Sequence, residues 1–343
     1  MTSSRADNGP PLALSLGDPA GVGPEIAAKA YRELRQDGPA FLVVGDHELM
    51  RAVARDLPVR RVSTGEEAAR VFTEALPVLD LPLRGPVVAG HGSPDHAEAV
   101  IAWIETAVGL ALTGGASGVV TCPIAKATLY AAGFAHPGHT EFIAELASTG
   151  RSLQPVMMMA SPQMKVSLVT IHTPLRDVPL QITFERVFQT VRTTADAIER
   201  DFGIPHPRIA LAGLNPHAGE SGGIGLEERL VINPAARRLR AALYDVSDAL
   251  SADTLFHDAA RSRYDAVVCM YHDQGLIPFK TLDFWSGVNL TLGLPLVRTS
   301  PDHGVAYDIA GRGLARADSL VAAIRMAGEI ARRRRVAGAR SSA

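Results

Sequence analysis

Three of the eleven histidines share one placement. His172 directly follows the apolar run Lys165–Ile171, His217 comes just after the run Arg208–Leu214 in Asn215-Pro216-His217, and His272 follows Ala266–Tyr271. Each run reads as a strand, and each histidine then enters a loop of small and polar residues. Ligands of an open parallel sheet bind at the carboxyl ends of its strands, so imidazoles leaving three strand ends can converge. Their wide separation in sequence excludes a local zinc-finger spacing. Three protein ligands with coordination positions left open is the pattern of a catalytic metal. Taken singly, each would read as a structural histidine; the shared placement points to ligands. His47, His91, His96, His206 and His257 read as surface or helix-end residues, while His136 and His303 lie close to candidate loops.

A second set of residues suits an anion. Gly138-His139-Thr140-Glu141 sits in a loop before a helix, and Lys280, Asn289 and Arg298 follow His272. A lysine, an arginine, an amide and a threonine hydroxyl together match a phosphate or a carboxylate. Arg298 adjoins the apolar pair Leu296-Val297, which suits a solvated surface charge poorly. The stretch Thr299-Ser300-Pro301-Asp302-His303-Gly304, continuing to Gly311, has the small residues to wrap a nucleotide, although spacing alone equally describes an ordinary turn. Gly21-Val22-Gly23-Pro24-Glu25-Ile26 follows a strand and opens a helix, but Ile26 stands where a dinucleotide fingerprint needs its third glycine. Gly21 and Gly23 fit a tight turn or an anion at the helix start equally well. Phosphate-loop Gly-Lys-Ser/Thr is absent. Asp18 and Lys126 also follow strands and have side chains able to hold a proton.

Elements of alternating type must position these residues. Leu12–Leu16, Phe41–Val44, Gly118–Cys122 and the three runs above are rich in Val, Leu and Ile without clean alternation, as strands buried on both faces are. Helical periods fill the intervals at Pro24–Leu34, His96–Leu112, Phe184–Phe202 and Glu227–Leu243, with a last helix over Ala317–Arg335 ending in Arg332–Arg335, where cations complement the dipole. This alternation predicts an α/β fold. With 343 residues, 47% hydrophobic, the chain is long enough for two cores. A formal charge of −2 gives no electrostatic footprint for nucleic acid or an anionic membrane. Cys122 and Cys269 lie in strand-like flanks and build no disulfide framework, which predicts a reducing, cytoplasmic setting. Met1–Pro11 reads as a loose polar tail, and no apolar stretch is long enough to span a bilayer. A histidine metal site with an anion pocket fits a metal-dependent alcohol dehydrogenase or a metal-dependent aldolase, with a non-catalytic carrier as a third class.

The motifs Gly17-Asp18-Pro19-Ala20-Gly21-Val22-Gly23-Pro24-Glu25, Gly138-His139-Thr140-Glu141-Phe142, Asn215-Pro216-His217-Ala218-Gly219-Glu220, Tyr271-His272-Asp273-Gln274-Gly275, and Val288–Pro295 with Arg298-Thr299-Ser300 closely resemble the 4-hydroxythreonine-4-phosphate dehydrogenase family of pyridoxal phosphate biosynthesis. The likeness runs from about Leu12 to about Ile330. It implies two α/β domains with a cleft between them, like the isocitrate and isopropylmalate dehydrogenases. The first domain would take 12–128 with 286–343, the second 129–285 with the metal histidines and the dimer contacts. It implies a homodimer whose active site is shared between subunits. It implies a divalent metal (Zn, Mg or Co) on His172, His217 and His272, and substrate contacts from His139, Thr140, Lys280, Asn289 and Arg298. Asp273 and Lys280 are the candidate catalytic pair, Lys280 giving fixed positive charge and Asp273 orienting the site or taking the proton. NAD or NADP would lie against Ser300, Asp302, His303 and Gly304. The implied reaction oxidises the C3 hydroxyl of 4-phosphooxy-L-threonine, and the β-keto acid loses carbon dioxide to give 3-amino-2-oxopropyl phosphate. The family commonly has Thr where Val305 stands here, which removes one hydroxyl near the expected nucleotide loop. Relatives acting on phosphothreonate-type acids or cis-dihydrodiol carboxylates would keep the same histidines.

Overall fold

The computed structural model describes residues 9–136, 138–148, 150 and 153–341. They fall into two compact units: one from the residues up to Leu153 and from Leu294 on, the other from Gln154–Gly293. Elements are numbered along the chain.

The first unit carries β1 (Leu12–Ser15), β2 (Phe41–Gly45), β3 (Val59–Val62), β4 (Leu76–Asp80), β5 (Val119–Thr121) and β12 (Arg298–Pro301), in the order β3-β4-β2-β1-β5-β12. The pairings among them are parallel. β1, β2, β5 and β12 are buried throughout, so helices must cover both faces. Those helices are α1 (Gly23–Leu34), α2 (His47–Val53), α3 (Gly65–Val71), α4 (Ala97–Leu112), α5 (Lys126–Ala131), α6 (His139–Ala147) and α12 (Asp318–Ser341). Tyr31, Phe41 and Phe72 meet edge to face with centroids 5.1–6.4 Å apart. Trp103 of α4 is fully buried, and its indole N–H donates to Leu81 O at 2.9 Å.

The second unit carries β6 (Val156–Ala160), β7 (Lys165–Leu168), β8 (Arg208–Ala212), β9 (Asp245–Leu250), β10 (Ala266–Cys269) and β11 (Val288–Leu292), in the order β11-β6-β7-β10-β8-β9. β7, β10, β8 and β9 run parallel, while β6 is antiparallel to both β7 and β11. This sheet is therefore mixed, because β6 and β7 are joined by a tight hairpin closed by Ser161 N–H to Met164 O at 2.9 Å. Its helices are α7 (Val178–Gln181), α8 (Phe184–Phe202), α9 (Asn233–Arg240), α10 (Asp258–Arg261) and α11 (His272–Leu282). Thr183 caps α8 by accepting from Arg186 N, and Gly203 ends it in the left-handed region at φ 70°. The core joins Met159, Val166, Leu168, Ala210, Val267 and Cys269 of the strands to Leu276 and Phe279 of α11.

Several expectations shift. The unit boundaries fall beyond 128 and 286 because α6 packs on α4 and β11 pairs with β6. Residues 1–8 of the expected tail lie outside the described residues, and Pro11 is buried, its carbonyl accepting from Ser117 N at 2.8 Å. The helix expected over Glu227–Leu243 splits into a wide π turn, Glu228–Ile232, and α9, since Pro234 lacks the N–H that would continue an α register. α12 runs on to Ser341, which leaves Arg332–Arg335 more than a turn inside it. His47 and His96 do stand at helix starts but are buried, at 7% and 4% exposure. Among the described residues no helix is long and apolar enough to cross a membrane.

Candidate active site

β7, β10 and β8 are neighbours in one parallel block, and all three histidines follow their carboxyl ends. The strands end a few residues before the apolar runs do, yet the pairing continues. Val169 N and Thr170 N reach Cys269 O and Met270 O, and the Thr170 hydroxyl donates to Met270 O at 2.7 Å. Gln274 ties the next pair of ends together. Its Oε1 accepts from Met270 N and its Nε2 donates to Gly213 O, both at 2.7 Å. The loops bearing the histidines thus leave a cross-linked edge. α11 can start there because Gly275 lets it lie on β7; a Cβ would come 2.5 Å from Val166 Cγ1.

The His172 and His272 rings lie 5.9 Å apart between centroids. His272 opens α11, and its Nδ1 pairs with Asp273 Oδ1 at 2.7 Å. His217 Nδ1 pairs with Glu220 Oε2 at 3.0 Å. A carboxylate on Nδ1 fixes the ring tautomer and leaves Nε2 as the ligand atom, the arrangement that supports metal-bound histidines. His217 stands first in a turn of five left-handed residues, His217 to Ser221, with φ between 44° and 80°. Four of the five carry a Cβ, each at a penalty of roughly 1–2 kcal/mol. Strain of this kind persists only where the surroundings over-determine it, and it gathers at functional sites. Among the described residues no group of three or more His, Cys, Asp or Glu is gathered about one ion-sized space, so the structure brings two of the three histidines together and not the third. The His217 side chain is 69% exposed. The donor set, imidazoles with carboxylate-bound Nδ1 atoms at adjacent strand ends, fits a divalent metal.

Asp273 and Lys280 are seven residues apart on α11 and so share one face. Lys280 lies over the Phe284 ring at 5.9 Å. The Asn289 Oδ1, on β11, is buried with no hydrogen-bond partner.

The first unit builds the second cluster. His139 and Thr140 form the first turn of α6, with Gly138 at its N-cap. Lys126 Nζ stands beside that cap, 3.4 Å from where a Gly138 Cβ would be. Arg298 on β12 is buried, at 4% exposure, and donates from Nη2 to Thr121 Oγ1 at 2.9 Å. Burial lowers its pKa to about 10, against the opposing pull of Glu141, so the guanidinium stays charged at neutral pH. His139 Nε2 is buried without a partner. Burial, then the charges of Arg298 and Lys126, hold its pKa well below the ordinary imidazole value, so this ring is neutral. Two cations and a helix N-terminus make a ready anion site.

The Gly21-Val22-Gly23 turn is explained by packing. A Cβ on Gly21 would lie 2.9 Å from Val305 O, and one on Gly23 would lie 2.4 Å from Leu16 O. Val22 N donates to Val305 O at 2.9 Å, so Val305 is part of a seam between two loops. Asp18, read above as able to hold a proton, locks the same seam. It is 5% exposed and accepts from Ala20 N at 2.9 Å and from the Tyr307 hydroxyl at 2.7 Å. Tyr307 was not legible as a functional residue, since only folding brings it to Asp18. Ser300 lies within β12 at 8% exposure; only from Asp302 does the chain become a loop. Asp302 N donates to Ser319 Oγ at 3.0 Å, while His303 and Gly304 are exposed with open space at the Gly304 Cβ position.

The sequence profile of the family described as pyridoxal phosphate biosynthetic protein PdxA matches residues 38–327. A Caulobacter vibrioides protein named 4-hydroxythreonine-4-phosphate dehydrogenase is 59% identical over 329 residues, covering 95% of this chain and 99% of the relative. The crystal structure of 4-hydroxythreonine-4-phosphate dehydrogenase from Klebsiella pneumoniae is similar at a TM-score of 0.84 and 36% identity, covering 94% of this chain and 99% of that one. A terephthalate 1,2-cis-dihydrodiol dehydrogenase from Burkholderia xenovorans is more distant, at a TM-score of 0.66 and 28% identity, over 94% of this chain and 98% of that one. The chain belongs to the PdxA family of NAD(P)-dependent 4-hydroxythreonine-4-phosphate dehydrogenases, which act in pyridoxal phosphate biosynthesis.

Proposed function

We propose that His172, His217 and His272 hold the divalent metal of this dehydrogenase, and that His139, Thr140 and Arg298 bind the phosphate of 4-phosphooxy-L-threonine. The observation that carries this reading is the placement of three histidines at the ends of three adjacent parallel strands, two with a carboxylate on Nδ1. A divalent ion there supplies Lewis acidity to the C3 hydroxyl, and a nicotinamide dinucleotide supplies the hydride acceptor. The protein's part is to bind and orient. Buried Arg298 keeps a fixed charge for the phosphate, the α6 N–H groups add donors, and neutral His139 adds a ring nitrogen without adding charge. Asn289 Oδ1 is an acceptor awaiting a donor, which the substrate ammonium provides. Asp273 is engaged with His272, so its role is to orient that ring, and Lys280 on the same helix face supplies positive charge as the carboxylate is lost. Asp302, His303 and Gly304 form the exposed loop for the dinucleotide, with Ser300 in the strand before it, and the Asp18–Tyr307 bond holds the segment that follows.

The partner in this reading is a second copy of the chain. Leu175, Leu180, Phe184, Ile224, Leu226, Leu230, Ile277, Phe284 and Trp285 are all exposed, and all belong to the second unit. They follow His172, His217 and His272 in turn along the chain. We read them as the contact surface between two copies, since exposed apolar residues gathered into a patch mark interaction sites. A site shared between copies also accounts for a trio that is not closed within one chain. Steady-state reduction of NAD and NADP with added Zn, Mg or Co tests the substrate. We expect turnover of 4-phosphooxy-L-threonine with release of carbon dioxide, and a kcat/KM at least about 100-fold lower for the same molecule without phosphate. Equal rates for the two, or preference for a phosphothreonate or a cis-dihydrodiol acid, would overturn the phosphate assignment or move the enzyme to another substrate.

A further inference from the structure

We infer that Glu228, acting with Asn215, is the positioning residue that sets how His217 is presented to a divalent cation. This rests on reading His217 as a metal ligand. Glu228 is 2% exposed, and among the described residues it forms no ion pair with a lysine or arginine. Its carboxylate turns instead to the loop that carries His217. Oε1 accepts from Asn215 N at 2.7 Å, and Oε2 accepts from Asn215 Nδ2 at 3.0 Å. Oε2 also lies where Gly219 comes closest: a Cβ there would be 2.6 Å from it. Gly219 is the middle residue of the left-handed turn from His217 to Ser221. The carboxylate therefore grips the turn at its entry and at its centre. The same Asn215 amide donates to Glu227 Oε2 at 2.8 Å, which fixes the Asn215 side chain from a second direction.

Glu228 can reach this place because the helix ahead of α9 begins in a π turn, in which Asn233 N–H reaches back to Glu228 O. Single π turns of this kind recur at functional sites. A buried carboxyl gripped by neutral donors and set under a strained turn holds that turn in one shape. The turn in turn fixes the His217 backbone and its partner Glu220, so the imidazole is directed before any ion arrives. Residues supporting a ligand in this way alter metal affinity by about 10–100-fold when changed.

Full-length protein stripped with chelator would be titrated with Co(II), with the dissociation constant and the visible d–d absorbance recorded and the metal-free melting temperature measured alongside. We expect Glu228→Gln, which keeps shape and loses charge, to weaken cobalt binding about 10–100-fold and to change the d–d band, in protein that remains folded. Asn215→Ala keeps the backbone bond and should weaken binding by a smaller factor of the same sign. A purely structural role would lower the melting temperature and leave the affinity of folded protein unchanged, so cobalt binding within twofold of the parent in folded Glu228→Gln overturns the inference. Should Glu228→Gln fail to fold, Asn215→Ala is judged by the same twofold limit. His217→Ala separates the two levels: if it binds cobalt as the parent does, the metal reading itself falls, and the inference with it.

Discussion

Arg298 shows how far residue type alone carries an argument. Its apolar neighbours marked it as more than a surface charge, and it is buried on β12 with its charge kept. Arg298→Gln should raise KM for the phosphorylated substrate by at least about tenfold, since a charge-assisted bond contributes roughly 1.5–3 kcal/mol. Unchanged KM in steady-state kinetics would remove Arg298 from the phosphate site. His139 gives a pH signature. Its folded pKa lies well below the unfolded value near 6.5. Below that value the unfolded chain takes up a proton that the folded chain refuses, so the ring withdraws stability as pH falls and has no effect above it. Urea unfolding at pH 5 and pH 7 should show a larger loss for the parent than for His139→Gln, by at most about 1.4 kcal/mol per pH unit below 6.5. Equal losses would mean the ring is protonated in the fold. Glu228 and Tyr307 were not legible at this scale, because neither has a neighbour in sequence that marks it.

At the scale of elements, strands with an unbroken apolar run, such as Phe41–Gly45 and Ala266–Cys269, were readable, although the equally apolar Val156–Ala160 of β6 was not read as one. β3, with its exposed Arg60 and Arg61, and β9, with Asp245 and Asp248, carry polar faces at the sheet margins and gave no such signal. β12 was hidden by its polar residues, Arg298, Thr299 and Ser300, all of which the fold buries. Thr299 illustrates how: its hydroxyl donates to Ala323 O of α12 at 2.9 Å, a partner remote in sequence. The His217 turn was invisible because sequence gives no cue for successive left-handed residues that carry side chains. The placement of His272, in contrast, depends on one legible glycine. Gly275→Ala would press a methyl on Val166 and should destabilise the second unit by about 1–3 kcal/mol, read by urea unfolding. A neutral change would mean that α11 can lift from β7 without penalty.

At the scale of the whole molecule, the second unit carries His172, His217 and His272 together with exposed apolar residues such as Leu180, Ile277 and Trp285. A homodimer through this unit predicts twice the chain mass in sedimentation equilibrium. Leu180→Asp with Ile277→Asp should shift the population toward monomer and lower activity in parallel. A fully active monomer would remove the shared site from the account. The family places the chemistry on a small phosphorylated molecule.

The most direct test of the central claim follows nicotinamide reduction in chelator-stripped protein given 4-phosphooxy-L-threonine, before and after a divalent metal is restored, for the parent chain and for the variant with His172, His217 and His272 all changed to Ala. The account predicts that the parent is silent when stripped and recovers with metal, and that the triple variant folds but does not recover. A parent that turns over undiminished without metal, or a triple variant that is fully active, would contradict it.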